Sequence, residues 1–301
     1  MTEHEHLPMA LLLSNYVENL CGPYDYQEER LLSAQERVQM RTSRKEHNRV
    51  DFNGNFVRFI MTLKPQDLID YKHCLNDSSK LVTYLREGGR NDDDFIDELI
   101  GTLYLQECNY NGAINWLSKV SPGYQYTLNT YKGGYLTRDP FAFTLESRKD
   151  TVESAKLFPK LRNKGSVKLN FATRMRQLEW ETKQGKDEHA RTVAKVKYTL
   201  ARYASFSSCW ALTAYEDGWV YPHHDFPCVK SIKSNRWNRQ REEEERKQHL
   251  IAETVASIHD NETAAEVQYL LGNLKTIARK YPNTSTGKFL STRCDHWKDW
   301  K

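Results

Sequence analysis

The amino-acid sequence predicts an all-α protein made of antiparallel helical hairpins. Apolar residues recur at intervals of three and four along most of the chain, which is the period of an amphipathic helix. Only 14 glycines and 9 prolines occur among 301 residues, which is too little turn chemistry for a protein of many short strands. Short polar breaks such as "CNYNG" separate neighbouring apolar stripes, as expected of tight turns between two helices.

The first 90 residues are predicted to form an N-terminal helical segment. Pro8 and Gly22 bound an amphipathic helix whose apolar positions are Met9, Leu12, Leu13, Tyr16, Val17 and Leu20. A long polar helix is expected next, at about 27–50. Three shorter helices then follow at about 56–63, 66–75 and 78–87.

The clearest hairpin lies at residues 92–120. Three aspartates at 92–94 stand where the dipole of a helix start favours negative charge. The first helix carries the apolar stripe Phe95, Ile96, Leu99, Ile100, Leu103 and Tyr104. The chain is expected to turn at "NYN", and the answering stripe is Ala113, Ile114, Leu117 and Val120. Two such helices cannot bury both of their faces alone, so residues 91–301 are predicted to form a helical stack.

Two aromatic loops are predicted to interrupt this stack, at about 121–165 and 218–236. Between them, apolar stripes that begin at Val167 and Val193 predict two long helices, and a shorter helix is expected at about 206–216. The last strong stripe runs without a break from Val267 to Ala278 and predicts one further helix.

The hairpin at 92–120 resembles the tetratricopeptide repeat. Gly101 takes the place of the small residue in the first helix. The three positions that follow in the pattern are matched by Tyr104, Ala113 and Leu117. "LKTIARKYPNTS", near the end of the chain, resembles the second helix of such a repeat and the turn after it. The resemblance implies an irregular tetratricopeptide-like α-solenoid, in which these four residues pack the helices of a hairpin against each other.

A longer resemblance covers roughly residues 90–300. A family of large, uncharacterised helical-repeat proteins of Bacteroides-type bacteria is similar, in its C-terminal portion, to the segments "LYLQECNYNGAINWLSKV", "LNFATRMRQLE" and "ETAAEVQYLLGNLKTIARKYPNTS", taken in order. The resemblance implies a fold and no particular chemistry. Members of the family are usually much longer than this chain and are thought to lie in the cell envelope.

The compartment is predicted from what the chain carries near its start. The longest apolar run there, "MALLLSNYV", is too short to span a bilayer, and no positively charged region precedes it as in a signal peptide. We therefore expect a cytoplasmic protein, or one of the cell envelope if the chain is part of a longer exported protein. Six scattered cysteines without a C-x-x-C pair are expected to be free thiols.

No catalytic, cofactor or metal site is predicted. Groups that could bind zinc occur in two segments, as His223, His224, Cys228, Cys294 and His296. Neither segment has a standard zinc spacing, so a surface loop and a capped last helix are the favoured interpretation, and it stays open whether these groups meet. "NTSTGK" lacks a glycine of the phosphate loop, because Pro282 stands there, and "SFSSCW" lacks the strand-to-helix context of a hydrolase nucleophile.

Residues 156–202 are strongly basic. They contain thirteen Lys or Arg against four Asp or Glu, whereas the net charge of the whole chain is only +4. Trp180, Tyr198 and Tyr203 are interleaved, a combination that suits a phosphate backbone with exposed bases. The alternative is that the charges of two helices face water while the aromatic residues face inward. The candidate contacts to an anionic partner are Lys164, Lys168, Arg174, Arg176, Lys195, Lys197 and Arg202.

Taken together, these patterns predict a non-enzymatic scaffold whose helical-repeat groove binds a peptide or a partner protein. The faces of Leu99 to Glu107 and of Val167 to Trp180 are expected to line that groove. The alternative function is binding of nucleic acid or another anionic partner through residues 156–202.

Overall fold

The computed structural model of the protein describes residues 3–21, 55–60, 62–89, 91, 93–122, 124, 141, 167–203 and 227–300. Within these ranges all regular secondary structure is helical, which confirms the predicted all-α class. The described residues divide into two compact units. The first unit contains residues up to 124 together with 167–172, and the second contains 141, 173–203 and 227–300.

The helices of the first unit are α1 (Glu3–Cys21), α2 (Asn55–Ile60), α3 (Pro65–Cys74), α4 (Lys80–Gly88), α5 (Asp93–Gln106) and α6 (Tyr110–Leu117). Helix α1 packs on α2, α3 and α4, while α5 packs on α3 and on α6. Because α5 packs on α3, the unit continues across residue 90, where the sequence predicted a division. The predicted helix at 27–50 lies outside the described residues.

The buried face of α1 differs from the predicted stripe. Leu11, Leu12 and Asn15 are buried, whereas Leu13 and Val17 are exposed. A polar residue is stable on this face because the Asn15 amide donates hydrogen bonds to two buried or part-buried oxygens. These acceptors are the hydroxyl of Tyr71, at 3.0 Å, and the side-chain oxygen of Asn91, at 2.7 Å. Burial raises the pKa of the Tyr71 phenol, because desolvation disfavours the phenolate.

The second unit is built from the later part of α7 (Val167–Gln184), followed by α8 (Glu188–Arg202), α9 (Pro227–Ala256), α10 (Asn261–Leu270), α11 (Leu274–Lys280), α12 (Ser285–Arg293) and α13 (Trp297–Trp300). Helix α8 packs on α9 and α10, and α10 packs on α11 and α12. The last three helices, α11, α12 and α13, all pack on one another. Their core contains Ala265, Ile277, Ala278, Leu290 and Trp297.

Two predictions for this unit need correction. The stripe from Val267 to Ala278 is two helices, because the chain turns at Gly272, whose φ of 79° ends α10. The loop predicted at 218–236 is helical from Pro227 onward. Proline is favoured in the first turn of a helix, where its missing N–H costs nothing. Residues 218–226, the helix predicted at 206–216 and most of the loop at 121–165 lie outside the described residues.

Several helices begin at a side chain that caps them. The oxygen of the capping residue accepts a hydrogen bond from the backbone N–H three residues later, which satisfies a group that has no partner within the helix. Helices α4, α6, α8, α10 and α12 begin in this way at Ser79, Asn109, Asp187, Asp260 and Thr284. The short polar residues between apolar stripes thus set where these helices start.

Candidate functional site

The four predicted repeat residues lie at the interface between α5 and α6. Gly101 faces Leu117, and a Cβ at residue 101 would lie 2.5 Å from the Cγ of Leu117. Ala113 and Leu117 are fully buried. The half-buried ring of Tyr104 lies against Gly112, where a Cβ would stand 2.6 Å from the ring. Gly112, which the sequence analysis did not single out, therefore belongs to the same close contact.

Helix α5 does not expose the predicted groove face. Its buried residues are Phe95, Ile96, Asp97, Glu98, Leu99, Ile100, Gly101, Thr102, Leu103 and Leu105. Between residues 99 and 107, Tyr104 and Gln106 are half-buried and Glu107 is exposed. The prediction that this face lines a groove is therefore wrong, because neighbouring elements enclose the helix on nearly every side.

One of the enclosing contacts is a buried ion pair. Lys168, which is 8% exposed, binds Oε1 of Glu98, which is 2% exposed, and donates a hydrogen bond to the Thr102 hydroxyl at 2.7 Å. Burial lowers the pKa of Lys168, because desolvation disfavours the ammonium, while Glu98 opposes this effect. The prediction that Lys168 contacts an anionic partner is therefore wrong. The positive charge of Lys168 instead binds the carboxylate of Glu98 within the first unit.

The other predicted basic residues stand at or near the surface, except that Lys164 lies outside the described residues. Arg174, Arg176 and Lys195 are exposed, while Lys197 and Arg202 are half-buried. The basic segment thus keeps exposed positive charge on both α7 and α8.

The aromatic residues of this segment do not all face inward. Trp180 is 59% exposed, while Tyr198 and Tyr203 are half-buried. Arg176 and Lys183 stand one helical turn before and after Trp180, so they share its side of α7. An exposed indole between two basic side chains disagrees with the interpretation in which the aromatic residues of this segment face inward.

Three side chains, those of Thr263, His189 and Glu266, meet between α8 and α10. The sequence patterns did not predict this contact. Nδ1 of His189 lies 2.8 Å from the Thr263 hydroxyl, and Nε2 lies 3.0 Å from Oε2 of Glu266. Thr263 is only 2% exposed. Hydrogen bonds from its hydroxyl and its backbone N–H hold the pKa of Asp260 below its usual value. Because the hydroxyl is enclosed and already bonded, we interpret this group as a link between two helices.

The segment "NTSTGK" forms the start of α12. The Thr284 hydroxyl accepts a hydrogen bond from Gly287 N–H at 3.1 Å. A Cβ at residue 287 would lie 2.8 Å from the carbonyl oxygen of Pro282, so the glycine allows the backbone to pass closely. The glycine that suggested a phosphate loop is therefore explained by packing.

Most of the residues that could form the hypothetical zinc site lie outside the residues that the structure describes. His223 and His224 lie outside the described ranges, as does the side chain of Cys228. Cys294 is a half-buried free thiol, and Nδ1 of His296 lies 3.3 Å from Oδ2 of Asp299. In the part of the chain that the structure describes, no three groups of metal-binding type come together.

Comparison of the chain with protein-family models, with curated proteins and with solved structures finds no match. Among the described helices, none has both the length and the apolar character needed to cross a membrane.

Proposed function

We propose that this protein is a non-enzymatic scaffold that binds a peptide or a partner protein through its second unit. The observation that carries the proposal is the order of packing from α8 to α13. Helix α8 packs on the first helix of the next hairpin, α10, and α10 packs in turn on α12. First helices that lie side by side form a continuous surface, and such surfaces are what stacked hairpins use for binding.

Support for a tetratricopeptide-like stack comes from how closely its helices approach. Ala265 of α10 and Ala278 of α11 are both buried in one shared core. Small residues at helix contacts are what the repeat pattern requires. The binding surface that we propose therefore lies on α8, α10 and α12, and it replaces the groove that the sequence analysis placed on α5.

Selection of random displayed peptides on the whole chain tests this function. We expect enriched peptides that share a motif and whose binding weakens about tenfold or more when the proposed surface is altered by Lys195→Ala on α8 or blocked by Thr292→Trp on α12. Both residues are exposed, so the melting temperature should be unchanged. Glu242→Ala, on an exposed position of α9, is the matched control. Failure to enrich any motif, or equal binding by all three variants, would contradict the proposal.

A second candidate function is the binding of an anionic partner through α7 and α8. The exposed Trp180 between Arg176 and Lys183 favours it. Arg174 and Arg176 are separated by about 200° around the helix, so they do not share one face. The triple variant Arg174→Ala/Arg176→Ala/Lys195→Ala, called the α7–α8 variant below, should bind heparin more weakly and with a smaller dependence on salt. An unchanged salt dependence would remove this candidate.

A further inference from the structure

The last three helices carry a concentration of positive charge that the sequence analysis did not single out. Between residues 274 and 300, the exposed basic side chains are Lys275, Arg279, Lys280, Lys288, Arg293 and Lys298. The exposed acidic side chains in the same range are Asp295 and Asp299. This segment is therefore strongly basic within a chain whose net charge is +4.

The helices that carry these charges are short and pack on one another. Helices α11, α12 and α13 contain 7, 9 and 4 residues. At a rise of about 1.5 Å per residue, none of them is longer than about 14 Å. Exposed charges reinforce one another within about one Debye length, roughly 8 Å at physiological salt, and residues one helical turn apart, such as Lys275 and Arg279 of α11, meet this condition.

Besides Asp295 and Asp299, the carboxylate of Glu262 on α10 lies against these helices, where it accepts a hydrogen bond from the backbone N–H of Ser285. Nε of Arg279 donates to the carbonyl oxygen of Trp300 at 3.1 Å, which fixes the guanidinium and leaves its two terminal amino groups for a ligand. Across the part of the chain that the structure describes, none of Lys275, Lys288 and Lys298 forms an ion pair. One of the two exposed carboxylates, that of Asp299, is already in contact with His296.

Aromatic rings lie among these cations. The guanidinium of Arg293 stands 4.6 Å from the ring centre of Phe289, which is 37% exposed. The exposed ring of His296 lies 6.5 Å from that of Trp300 at an angle of 32°. A membrane surface is a poorer fit, because Phe289 is the exposed large hydrophobic residue that these helices offer, within residues 274–300, for insertion among lipids.

We propose that α11, α12 and α13 form a binding surface for single-stranded nucleic acid. The basic side chains bind the phosphates, and the Phe289 and His296 rings offer flat faces on which bases stack. An acidic peptide could bind the cations, but its carboxylates would not stack on the rings of Phe289 and His296. Nucleic acid is therefore the better fit. The surface shares α12 with the peptide-binding surface proposed above, and it does not include the basic residues of α7 and α8.

Salt-dependent fluorescence anisotropy with labelled oligouridylate and oligothymidylate tests the proposal. The whole chain should bind both at about 50 mM salt and lose affinity steeply by about 200 mM. The variant Lys275→Ala/Arg279→Ala/Lys288→Ala/Lys298→Ala should bind at least tenfold more weakly. The slope of log K against log salt should also fall by about 0.7 for each phosphate contact removed. Absence of binding at low salt, or an unchanged slope in the variant, would overturn the proposal.

Two further variants separate nucleic acid from other anions and other surfaces. Phe289→Ala should weaken oligonucleotide binding about tenfold through lost stacking, while heparin binding stays the same. The proposal would be overturned by two results together. Heparin, polyglutamate or anionic vesicles would bind as tightly as the oligonucleotides, and Phe289→Ala would change none of these affinities. Such a result would show a surface that binds polyanions in general. The α7–α8 variant distinguishes the two basic surfaces, because a loss of oligonucleotide affinity confined to it would place binding on α7 and α8 and overturn the proposal. Lys80→Ala/Arg246→Ala, at exposed positions outside both surfaces, is the matched control and should keep its oligonucleotide affinity.

Discussion

The hairpin α5/α6 and the hairpin α10/α11 turn through the same backbone hydrogen bonds, although their turns differ in sequence. In the first hairpin, Asn109 N–H donates to the carbonyl oxygen of Tyr104 at 2.9 Å. Cys108 N–H donates to the carbonyl oxygen of Leu105 at 3.0 Å. This pair of bonds is the Schellman motif, which requires a left-handed residue after the helix. Cys108 takes that conformation, with φ at 58°.

In the second hairpin the left-handed residue is Gly272, with φ at 79°. Asn273 N–H donates to the carbonyl oxygen of Gln268 at 2.9 Å, and Gly272 N–H donates to that of Tyr269 at 3.0 Å. Glycine enters this conformation without steric cost, while a residue with a side chain does not. The hydrogen bonds therefore define the turn, and the residue at its centre decides how much free energy the turn costs.

The two hairpins also differ in how far they are enclosed. Helix α5 is buried on nearly every side, and the pair formed by Lys168 and Glu98 closes one of those sides. Helix α10 buries Thr263, Ala265, Val267 and Leu270, keeps Ala264, Glu266, Gln268 and Tyr269 half-buried, and exposes Asn261 and Glu262. The same turn thus serves an enclosed helix in one unit and a partly open helix in the other.

The largest effect should come from breaking the enclosure of α5. Lys168→Met should lower the free energy of unfolding by about 3–5 kcal/mol, because it leaves the Glu98 carboxylate buried without its cation. Denaturant unfolding measures the loss, and Lys168→Met/Glu98→Gln should recover much of it. Lys195→Met, at an exposed position on α8, is the control and should change stability by less than about 0.5 kcal/mol. A loss as small as that of the control would mean that Lys168 reaches solvent.

The next effect concerns the contact between the two helices of the first hairpin. Leu117→Ala should cost about 2–5 kcal/mol, because it opens a cavity against Gly101. Adding Gly101→Ala should restore part of that loss, since the new Cβ enters the space that the Leu117 side chain held. Ala265, which stands at the same distance before the turn in the second hairpin, already carries such a Cβ. Strictly additive losses in denaturant unfolding would contradict this arrangement.

Substituting the central residue of each turn should change the free energy of unfolding in opposite directions. Gly272→Ala should lower the free energy of unfolding by about 1–2 kcal/mol, because the left-handed conformation brings its Cβ close to the following carbonyl oxygen. Cys108→Gly should raise it by up to about 1 kcal/mol, because it relieves the same strain. Thermal unfolding of the two variants measures both changes. Shifts of the same sign would show that the two turns are not equivalent.

The smallest effect concerns the cap of α10 and depends on pH. The folded-state pKa of Asp260 is lowered by its hydrogen bonds from Thr263, so its stabilising contribution is present above its unfolded pKa of about 4. It is lost as the pH falls through the lower, folded pKa. At pH 7 the wild type should therefore have a higher melting temperature than Asp260→Asn. The difference between the two melting temperatures should become smaller toward pH 2. A difference that grows with acidity would contradict the assignment.

Much of the helical pattern could be predicted from the sequence, because apolar periodicity reports local structure. The starts of α5 and α6 follow from the aspartates at 92–94 and from Asn109. The break at Gly272 was missed because Leu271 and Leu274 continue the helical spacing across the turn. Periodicity registers which residues are apolar, and it does not register the backbone angle of one glycine between them.

The candidate surfaces were harder to predict because they depend on distant contacts. A lysine within a basic run is expected to face water, yet Lys168 meets a carboxylate 70 residues earlier in the chain. Asn15 is buried for a similar reason, since its partners are Tyr71 and Asn91. Neither partner can be recognised from the neighbouring sequence. To predict the basic surface on α11 to α13, one must know which side chains are exposed. Apolar periodicity indicates this only when the start and end of each helix are known.

The enclosure of α5 has a consequence for hydrogen exchange. Backbone amides of a helix that is buried on nearly every side reach water only when the surrounding structure opens. The amides of residues 99–103 should therefore be among the slowest in the first unit to exchange with deuterium. Their protection factors would report the free energy of opening that unit without any ligand, while the ends of α10 and α11 exchange earlier.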